Sequence, residues 1–386
     1  MSDKMTAINP QILVWAREAS GTSITEAEEH FGKEKLAKWE QGLDFPTYAQ
    51  LKLLGEYYRK PIAVFFFPNP PVLKSIPASC RTLPENIYSK FDRGIVKLMD
   101  RARVMQLYLY ELNADQNPAP FLLTKLGLDT VSVSVAASQL RQFLGADLDI
   151  QKSIKKKEDA FEYWRDCFYT LGIYVFKDAF KDNTLSGFCL YNDEFPIIYI
   201  NNSCSLSRQI FTLFHEVYHL INKTSGVDLI NDSELLHQNF SDKDIEISCN
   251  RFAGEFLVPT DDFLKITHKM KPTDENVSKL ATLYCVSNEV ILRKFLDNKK
   301  ISVEFYEAKS EEFAQDYFRY KEKKKEKSGG GDYYNTQAIY KGRQYLQLVF
   351  SRYYSKQIDI LQLARYMNMK IPNVKGLASR KGWGAL

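Results

Sequence analysis

Two histidines and a glutamate stand in the spacing H-E-x-x-H, as His215, Glu216 and His219. On an α-helix, residues four apart lie on one face about one turn apart, so both imidazoles can reach the same ion. Two neutral nitrogens suit zinc, and Glu216 offers a carboxylate that can take a proton from water. The surrounding sequence is apolar and contains neither proline nor glycine, and Ser205 or Ser207 can cap the helix. The motif therefore predicts a helical zinc site with Glu216 as general base.

A catalytic zinc site needs a third protein ligand and keeps one position open. The strongest candidate is Glu246, in the helical pattern that runs from Asp244 to Pro259. Asn250, four residues further on, shares its helix face and can orient a ligand through a hydrogen bond. The residue types alone leave five other candidates open for the third position: Asp242, Asp244, Glu255, His237 and His268.

The segments RQIFTLFHEVYHLI and EISCNRFAGEFLVP together resemble the paired signature of the ImmA/IrrE metallopeptidases. The resemblance implies that His215, His219 and Glu246 hold a zinc ion, with manganese as the alternative, and that Glu216 is the base. Cys249 stands where a small alanine is more usual, and we expect this difference to leave ligation unaffected. The resemblance also implies a protein substrate, an XRE-type repressor or antitoxin, cut during a stress response or in the regulation of defence or a mobile element.

The fold class expected is α+β and mostly helical. Three short runs rich in aromatic and β-branched residues precede the H-E-x-x-H helix, separated by turn residues at Asp182-Asn183 and Asn192-Asp193. They predict a small antiparallel sheet packed on that helix, as in a zincin-like core. By analogy with such enzymes, an edge strand of the sheet can pair with an extended substrate. The three predicted strands are Gly172–Phe176, Gly187–Tyr191 and Pro196–Ile200.

Composition shifts along the chain suggest five regions. Proline-rich and lysine- then glycine-rich stretches mark the linkers, and the stretches between them carry helical periodicity. The predicted regions are a helix-turn-helix-like bundle at 1–67, a linker with helices at 68–155, the peptidase core with its following helices at 156–320, a flexible linker at 321–331, and a basic helical C-terminal domain at 332–386.

The N-terminal run ITEAEEHFGKEKLAKWEQGLDFPTYAQLKLL resembles the XRE-type helix-turn-helix. Lys33, Lys35 and Lys38 are the candidates there for contacts with nucleic-acid phosphates. Residues 1–60, however, carry eight Lys plus Arg against nine Asp plus Glu, whereas a DNA-binding face should be basic. Docking of a protein is therefore the competing interpretation of this unit.

The C-terminal tail is strongly basic. From Asp332 onward it carries nine Lys plus Arg against two acids, interleaved with tyrosines, within a chain whose formal charge is +4. Arg343 and Arg352 are the candidates for nucleic-acid contact, because basic and aromatic side chains together bind phosphates and stack on bases. Apolar residues at helical spacing, such as Leu346 and Val349, favour instead a small packed helical domain.

Length and composition exclude several classes of protein. With 386 residues and 45% hydrophobic side chains, the chain can bury substantial cores. Six scattered cysteines without CxxC spacing argue against a disulfide framework, and no run is apolar enough for a signal or a membrane span, so we expect a cytoplasmic protein without membrane contact. The function predicted is that of a zinc endopeptidase. Its rivals are a DNA-binding regulator and a toxin-like interaction module, in which the zinc site is structural or inactive.

Overall fold

The computed structural model describes residues 4–18, 20, 22–58, 60, 62–70, 93–119, 123–180, 185–229, 240–313, 315 and 332–383. The predicted linker at 321–331, most of the proline-rich stretch at 68–77 and the turn at Asp182-Asn183 lie outside these residues. The chain forms two compact units, one from the described residues up to 70 together with 93–96, the other from residue 97 onward. Among the described helices, none has both the length and the apolarity that a membrane span requires.

The first unit is a bundle of four short helices. Ser23 begins the second helix with a capping box, because its hydroxyl accepts from the amide of Glu26 while the Glu26 carboxylate accepts from the amide of Ser23. Gly32 alone joins the second helix to the third, at a φ of 91° that favours glycine. The elements are α1 (Pro10–Glu18), α2 (Ile24–Phe31), α3 (Lys33–Glu40), α4 (Tyr48–Tyr58) and a 3-10 turn (Ile62–Phe66), around a core of Ile12, Leu36, Trp39, Leu51, Leu54 and Phe65.

The second unit is mostly helical with one small sheet, which confirms the predicted α+β class. Its elements in chain order are α5 (Arg93–Leu112, which begins in the first unit), 3-10 turns at Leu123–Lys125 and Leu128–Thr130, α6 (Val133–Phe143), α7 (Leu148–Ser153), α8 (Lys157–Thr170), β1 (Tyr174–Asp178), β2 (Leu185–Leu190), β3 (Ile197–Asn201), α9 (Leu206–Ile221), β4 (Val227–Leu229), α10 (Phe240–Leu257), α11 (Thr260–Thr267), α12 (Asp274–Leu283), α13 (Asn288–Asp297), α14 (Tyr333–Lys341), α15 (Arg343–Tyr354), α16 (Ile360–Tyr366) and α17 (Ile371–Lys381). Residues 303–313 are helical as well.

The sheet is mixed, where an antiparallel sheet was predicted. Its strand order is β1-β3-β2-β4, and β1 runs parallel to β3 while the other two pairs are antiparallel. The three predicted strands are present, and β4 is a fourth that the sequence pattern did not indicate. The predicted strand direction was wrong for the pair β1 and β3. Because β3 lies between β1 and β2 in the sheet, β1 pairs with β3 rather than with β2, and it does so in parallel.

The H-E-x-x-H helix, α9, lies directly on the sheet. A β-carbon at Gly187 of β2 would come within 2.5 Å of the Thr212 side chain and 2.9 Å of the Tyr199 carbonyl oxygen. Only a glycine therefore allows α9 to approach the strands this closely. The predicted helix start is confirmed, since the Ser205 hydroxyl accepts from the amide of Arg208 at 3.3 Å.

Three aromatic rings join the helices that surround the site. Phe214 of α9 stacks on Phe256 of α10 with ring centroids 4.2 Å apart, and Trp164 of α8 packs edge-on against both. All three side chains are fully buried. Since interiors are close-packed, these contacts fix how α9 and α10 lie against each other.

The C-terminal helices pack on β1 within the second unit. The Arg165 side chain of α8, which is 1% exposed, donates to the carbonyl oxygens of Val175 in β1 and of Ile339 and Tyr340 in the last turn of α14. A cation at this position also complements the partial negative charge at a helix C-terminus. Tyr345 of α15 is buried against Phe176 of β1, with ring centroids 5.2 Å apart.

Replacing Arg165 with lysine should destabilise the second unit. A single ammonium group cannot reach all three carbonyl oxygens, so buried acceptors lose their donors, and we expect a loss of about 2–3 kcal/mol in the free energy of unfolding. Urea denaturation of the full chain measures it. The matched control is Arg343→Lys, at an exposed ion pair with Asp166, which should change stability by less than about 1 kcal/mol. Equal losses in the two variants would contradict the role assigned to Arg165.

Candidate metal centre and active site

Helix α9 brings the predicted motif into the interior. His215 and His219 are 1% and 3% exposed and Glu216 is fully buried. The two imidazoles lie on the same face, as their spacing predicted, with their Nε2 atoms 3.3 Å apart. Burying an unpaired charged or polar group raises the free energy of the folded state. These three side chains therefore require partners from other parts of the fold.

Helix α10 supplies the acidic partner that the sequence favoured. Glu246 Oε2 lies 3.0 Å from Nε2 of His215, and its Oε1 lies 3.2 Å from Nε2 of His219. Burial acts to raise the pKa of Glu246, but hydrogen bonds and positive charge from the imidazoles in their protonated form outweigh it and lower the pKa to about 2. The carboxylate that faces the imidazoles is therefore ionised.

The outer nitrogens of both imidazoles are held by polar side chains. Nδ1 of His215 donates to Oδ1 of Asn250 at 3.0 Å, which is the orienting contact predicted for that asparagine. The Thr224 hydroxyl donates to the carbonyl oxygen of His219 at 3.0 Å, so it can accept from Nδ1 of the same histidine at 3.3 Å. With these hydrogens on Nδ1, loss of the Nε2 proton leaves each ring neutral, with an Nε2 lone pair directed towards the Glu246 carboxylate.

This arrangement of donor atoms fits a divalent metal ion. Two lone pairs and an ionised carboxylate within 3.0–3.3 Å of one another repel unless protons or a metal ion lie among them. Zinc bonds of about 2.0–2.2 Å place tetrahedral ligand atoms about 3.3–3.6 Å apart, within a few tenths of an ångström of the distances found. Two imidazole nitrogens and one carboxylate oxygen are also a donor set used by catalytic zinc.

Gly226 lies against the ring of His219, immediately before β4. A β-carbon at this position would come within 2.3–2.6 Å of three ring atoms of His219. Its carbonyl oxygen accepts from the amide of Cys189 in β2, at 3.1 Å. The lack of a side chain at Gly226 thus lets the backbone contact the His219 ring and pair with β2 at the next step. This close contact also limits the rotation of the His219 ring.

Two buried cysteines adjoin the site, and the sequence did not predict either of them as part of it. Cys249 of α10 is fully buried, and its sulfur and one nitrogen from each imidazole all lie within 4.8 Å of one another. This group could hold a metal ion. Cys189 of β2 accepts a hydrogen bond from the amide of Gly226 at 3.2 Å. The helical spacing of Cys249 from Glu246 was the one signal in the sequence that could have identified it.

Cys189 also contacts the predicted base. Burial raises the pKa of the Cys189 thiol well above its ordinary value, and the negative charge of Glu216 beside it raises the pKa further. The thiol is therefore neutral, and it donates to the carbonyl oxygen of Thr224 at 3.8 Å. It places no second negative charge beside the buried Glu216 carboxylate.

Three of the other candidate ligands, Asp244, Glu255 and His268, do not join the cluster. Asp244 and His268 are exposed. Glu255 instead accepts from the amide and the hydroxyl of Thr260 and pairs with Lys294, and these contacts together lower its pKa against the effect of burial. His237 and the side chain of Asp242 lie outside the described residues.

The residues proposed for nucleic-acid contact are spread over both units. Lys33, Lys35 and Lys38 are exposed on α3, where Lys35 lies over the Trp39 ring at 5.3 Å. In the second unit, Arg343 pairs with Asp166 at 2.8 Å, and Arg352 donates to the Gln357 side chain at 2.8 Å. Their role in binding nucleic acid stays a prediction.

Comparison with known proteins identifies the part of the chain that holds the site. A search of curated proteins found no match to this sequence. Residues 169–296 match the model of the Peptidase M78 family, described as the IrrE N-terminal-like domain. The match runs from the end of α8 through α9 and α10 to α13, and so includes both helices that carry the cluster. The match to the Peptidase M78 family supports the ImmA/IrrE-type resemblance for residues 169–296.

Proposed function

We propose that this chain is a zinc-dependent endopeptidase that hydrolyses a peptide bond in a partner protein. One observation carries the proposal: His215, His219 and Glu246 direct three electron-rich atoms at one another within 3.0–3.3 Å inside an M78 peptidase domain. Asn250 and Thr224 fix the two imidazoles in the form that binds a metal.

The proposed ligands are His215, His219 and Glu246. Zinc is favoured over manganese because two of the three donors are imidazole nitrogens, whereas manganese prefers an all-oxygen set. When bound, zinc supplies a Lewis acid that polarises the scissile carbonyl and acidifies water. The ionised carboxylate of Glu246 also reduces the net charge of the site.

Glu216 is the proposed general base. It takes a proton from the attacking water and passes it to the leaving amine, so one carboxylate serves both halves of the reaction. Its complete burial keeps its charge from being screened by solvent. The neighbouring Cys189 thiol, which burial keeps neutral, adds no negative charge beside it.

The sheet suggests how an extended substrate is positioned. In the strand order, β4 is an edge strand, and it begins one residue after Gly226, which lies against His219. A peptide that added to this edge as a further strand would run next to the cluster, and its backbone would be held by main-chain hydrogen bonds. This mode supports cleavage within a protein segment that is extended or can become so.

The resemblance supports an XRE-type repressor or antitoxin as the partner protein. Cleavage would remove the repressor or antitoxin, so the outcome would be the expression of stress, defence or mobile-element genes. In the rival function, a DNA-binding regulator or toxin-like module, the ion would have only a structural role. The two functions differ in whether Glu216 is needed for anything beyond metal binding.

Replacing Glu246 with glutamine should weaken zinc binding, because it removes the anionic ligand and keeps the size of the side chain. We expect the dissociation constant for zinc to rise by about 100-fold or more. Competition with a chromophoric chelator measures it. Glu255→Gln is the matched control on the same helix: it removes a partly buried carboxylate that pairs with Lys294, and it should leave zinc affinity unchanged. If the two variants bound zinc equally, Glu246 would not be a ligand.

Replacing Glu216 with glutamine should abolish cleavage while the metal stays bound. The loss expected for a missing general base is about 10²–10⁴ in rate. We would purify the Glu216→Gln protein from its host, identify the protein that remains bound to it, and then add wild-type enzyme and follow cleavage by mass spectrometry. Glu255→Gln should cleave at the wild-type rate. Cleavage by Glu216→Gln at that same rate would exclude the catalytic role and favour the structural one.

A further inference from the structure

We propose that the Cys249 thiolate is a fourth protein ligand of the ion held by His215, His219 and Glu246, so that the resting site is closed and the peptidase latent. The inference rests on the proposed zinc site and adds its regulation.

The position of Cys249 on α10 is the first support. Residues 246, 249 and 250 follow one another at i, i+3 and i+4, so they project from one face of the helix. Glu246 contacts both imidazoles, and Asn250 holds Nδ1 of His215. Cys249 lies between these two residues on the face that meets the cluster, and it is fully buried there.

The distance is the second support. The Cys249 sulfur and one nitrogen of each imidazole lie within 4.8 Å of one another. A zinc–sulfur bond of about 2.3 Å and a zinc–nitrogen bond of about 2.1 Å place sulfur and nitrogen about 3.6 Å apart at tetrahedral corners. The sulfur–nitrogen distances therefore need to shorten by at most about 1.2 Å. Rotation of the Cys249 side chain about its Cα–Cβ bond, together with small shifts of the other ligand side chains, supplies this change.

The number of ligands is what makes the site latent. Zinc sites with four protein ligands are closed, whereas catalytic sites keep one position for water. With the Cys249 thiolate bound, the proposed hydrolysis has no position from which to start. On release, the metal–sulfur bond breaks, the sulfur takes up a proton from solvent and water enters the vacated position, so no oxidant or reductant is needed.

The neighbouring Cys189 provides a comparison within the same site. Its thiol donates to the carbonyl oxygen of Thr224, and its sulfur accepts from the amide of Gly226. Cys189 does not belong to the group that the Cys249 sulfur forms with the two imidazoles, so it is not expected to bind the ion. A sulfur ligand, if present, can be assigned to one cysteine or the other by substitution.

Cobalt substitution of the full-length chain tests the proposal. Tetrahedral Co²⁺ absorbs in the visible region, and a thiolate ligand adds an intense sulfur-to-cobalt charge-transfer band in the near ultraviolet. We expect wild type and the control Cys167→Ala to show both features at one Co²⁺ per chain. Cys249→Ala should keep the visible bands, lose the charge-transfer band, and bind zinc at least about tenfold more weakly.

Acetohydroxamate, a small chelating ligand of open zinc sites, tests the latency. Because the thiolate must leave before the probe can bind, Cys249→Ala should bind acetohydroxamate at least about tenfold more tightly than wild type. In wild type, saturation with the probe should remove the charge-transfer band. Equal affinities, or a band that persists at saturation, would overturn the latent state.

The remaining outcomes separate this inference from the proposed function. Visible bands without a charge-transfer band in wild type would overturn the Cys249 ligand and leave the zinc site intact. Loss of the band in Cys189→Ala with retention in Cys249→Ala would also overturn it. If wild type bound no Co²⁺ at all, the proposed zinc site and the fourth ligand would both be wrong.

Discussion

The packing of α9 against α10 is the constraint on which the rest of the site depends. The stacked rings of Phe214 and Phe256, with Trp164 at their edge, fix the separation and rotation of the two helices. His215 is the residue next to Phe214 in the chain, so its ring position follows from this contact. A small change in the aromatic packing would therefore alter the distances between Glu246 and both imidazoles, even though none of the three rings touches an ion.

The same contact holds together a cluster that would otherwise be unfavourable. Two imidazole lone pairs, an ionised carboxylate and a second buried carboxylate at Glu216 are concentrated in a volume with little access to water. Asn250 and Thr224 add to the constraint, because they fix the hydrogens on the side of each ring that faces away from the cluster. Folding therefore brings mutually repelling groups together in the cluster, and binding of a cation reduces their repulsion.

The sequence predicted what short-range spacing can determine. The positions of His215 and His219 on one helix face, the Ser205 cap and the three strands before α9 all follow from periodicity over a few residues. Glu246 could be ranked above its rivals but not selected by spacing, because only tertiary packing shows that Glu255 is paired with Lys294. Sequence spacing also could not predict the strand direction, the fourth strand or the proximity of Cys249 to the imidazoles. Each of these features depends on contacts between segments that are far apart in the sequence.

The guanidinium of Arg165 also covers the edge of the sheet at β1. It bonds to the carbonyl oxygen of Val175, a main-chain acceptor on β1 that the pairing with β3 leaves unused. Together with α14 it therefore blocks the outer side of β1 against the addition of another strand. The β1 edge of the sheet is covered by the Arg165 side chain and by α14. A chain shortened before residue 332 would therefore expose unpaired main-chain groups along β1. In the described structure, Arg165 and α14 keep this row of groups covered.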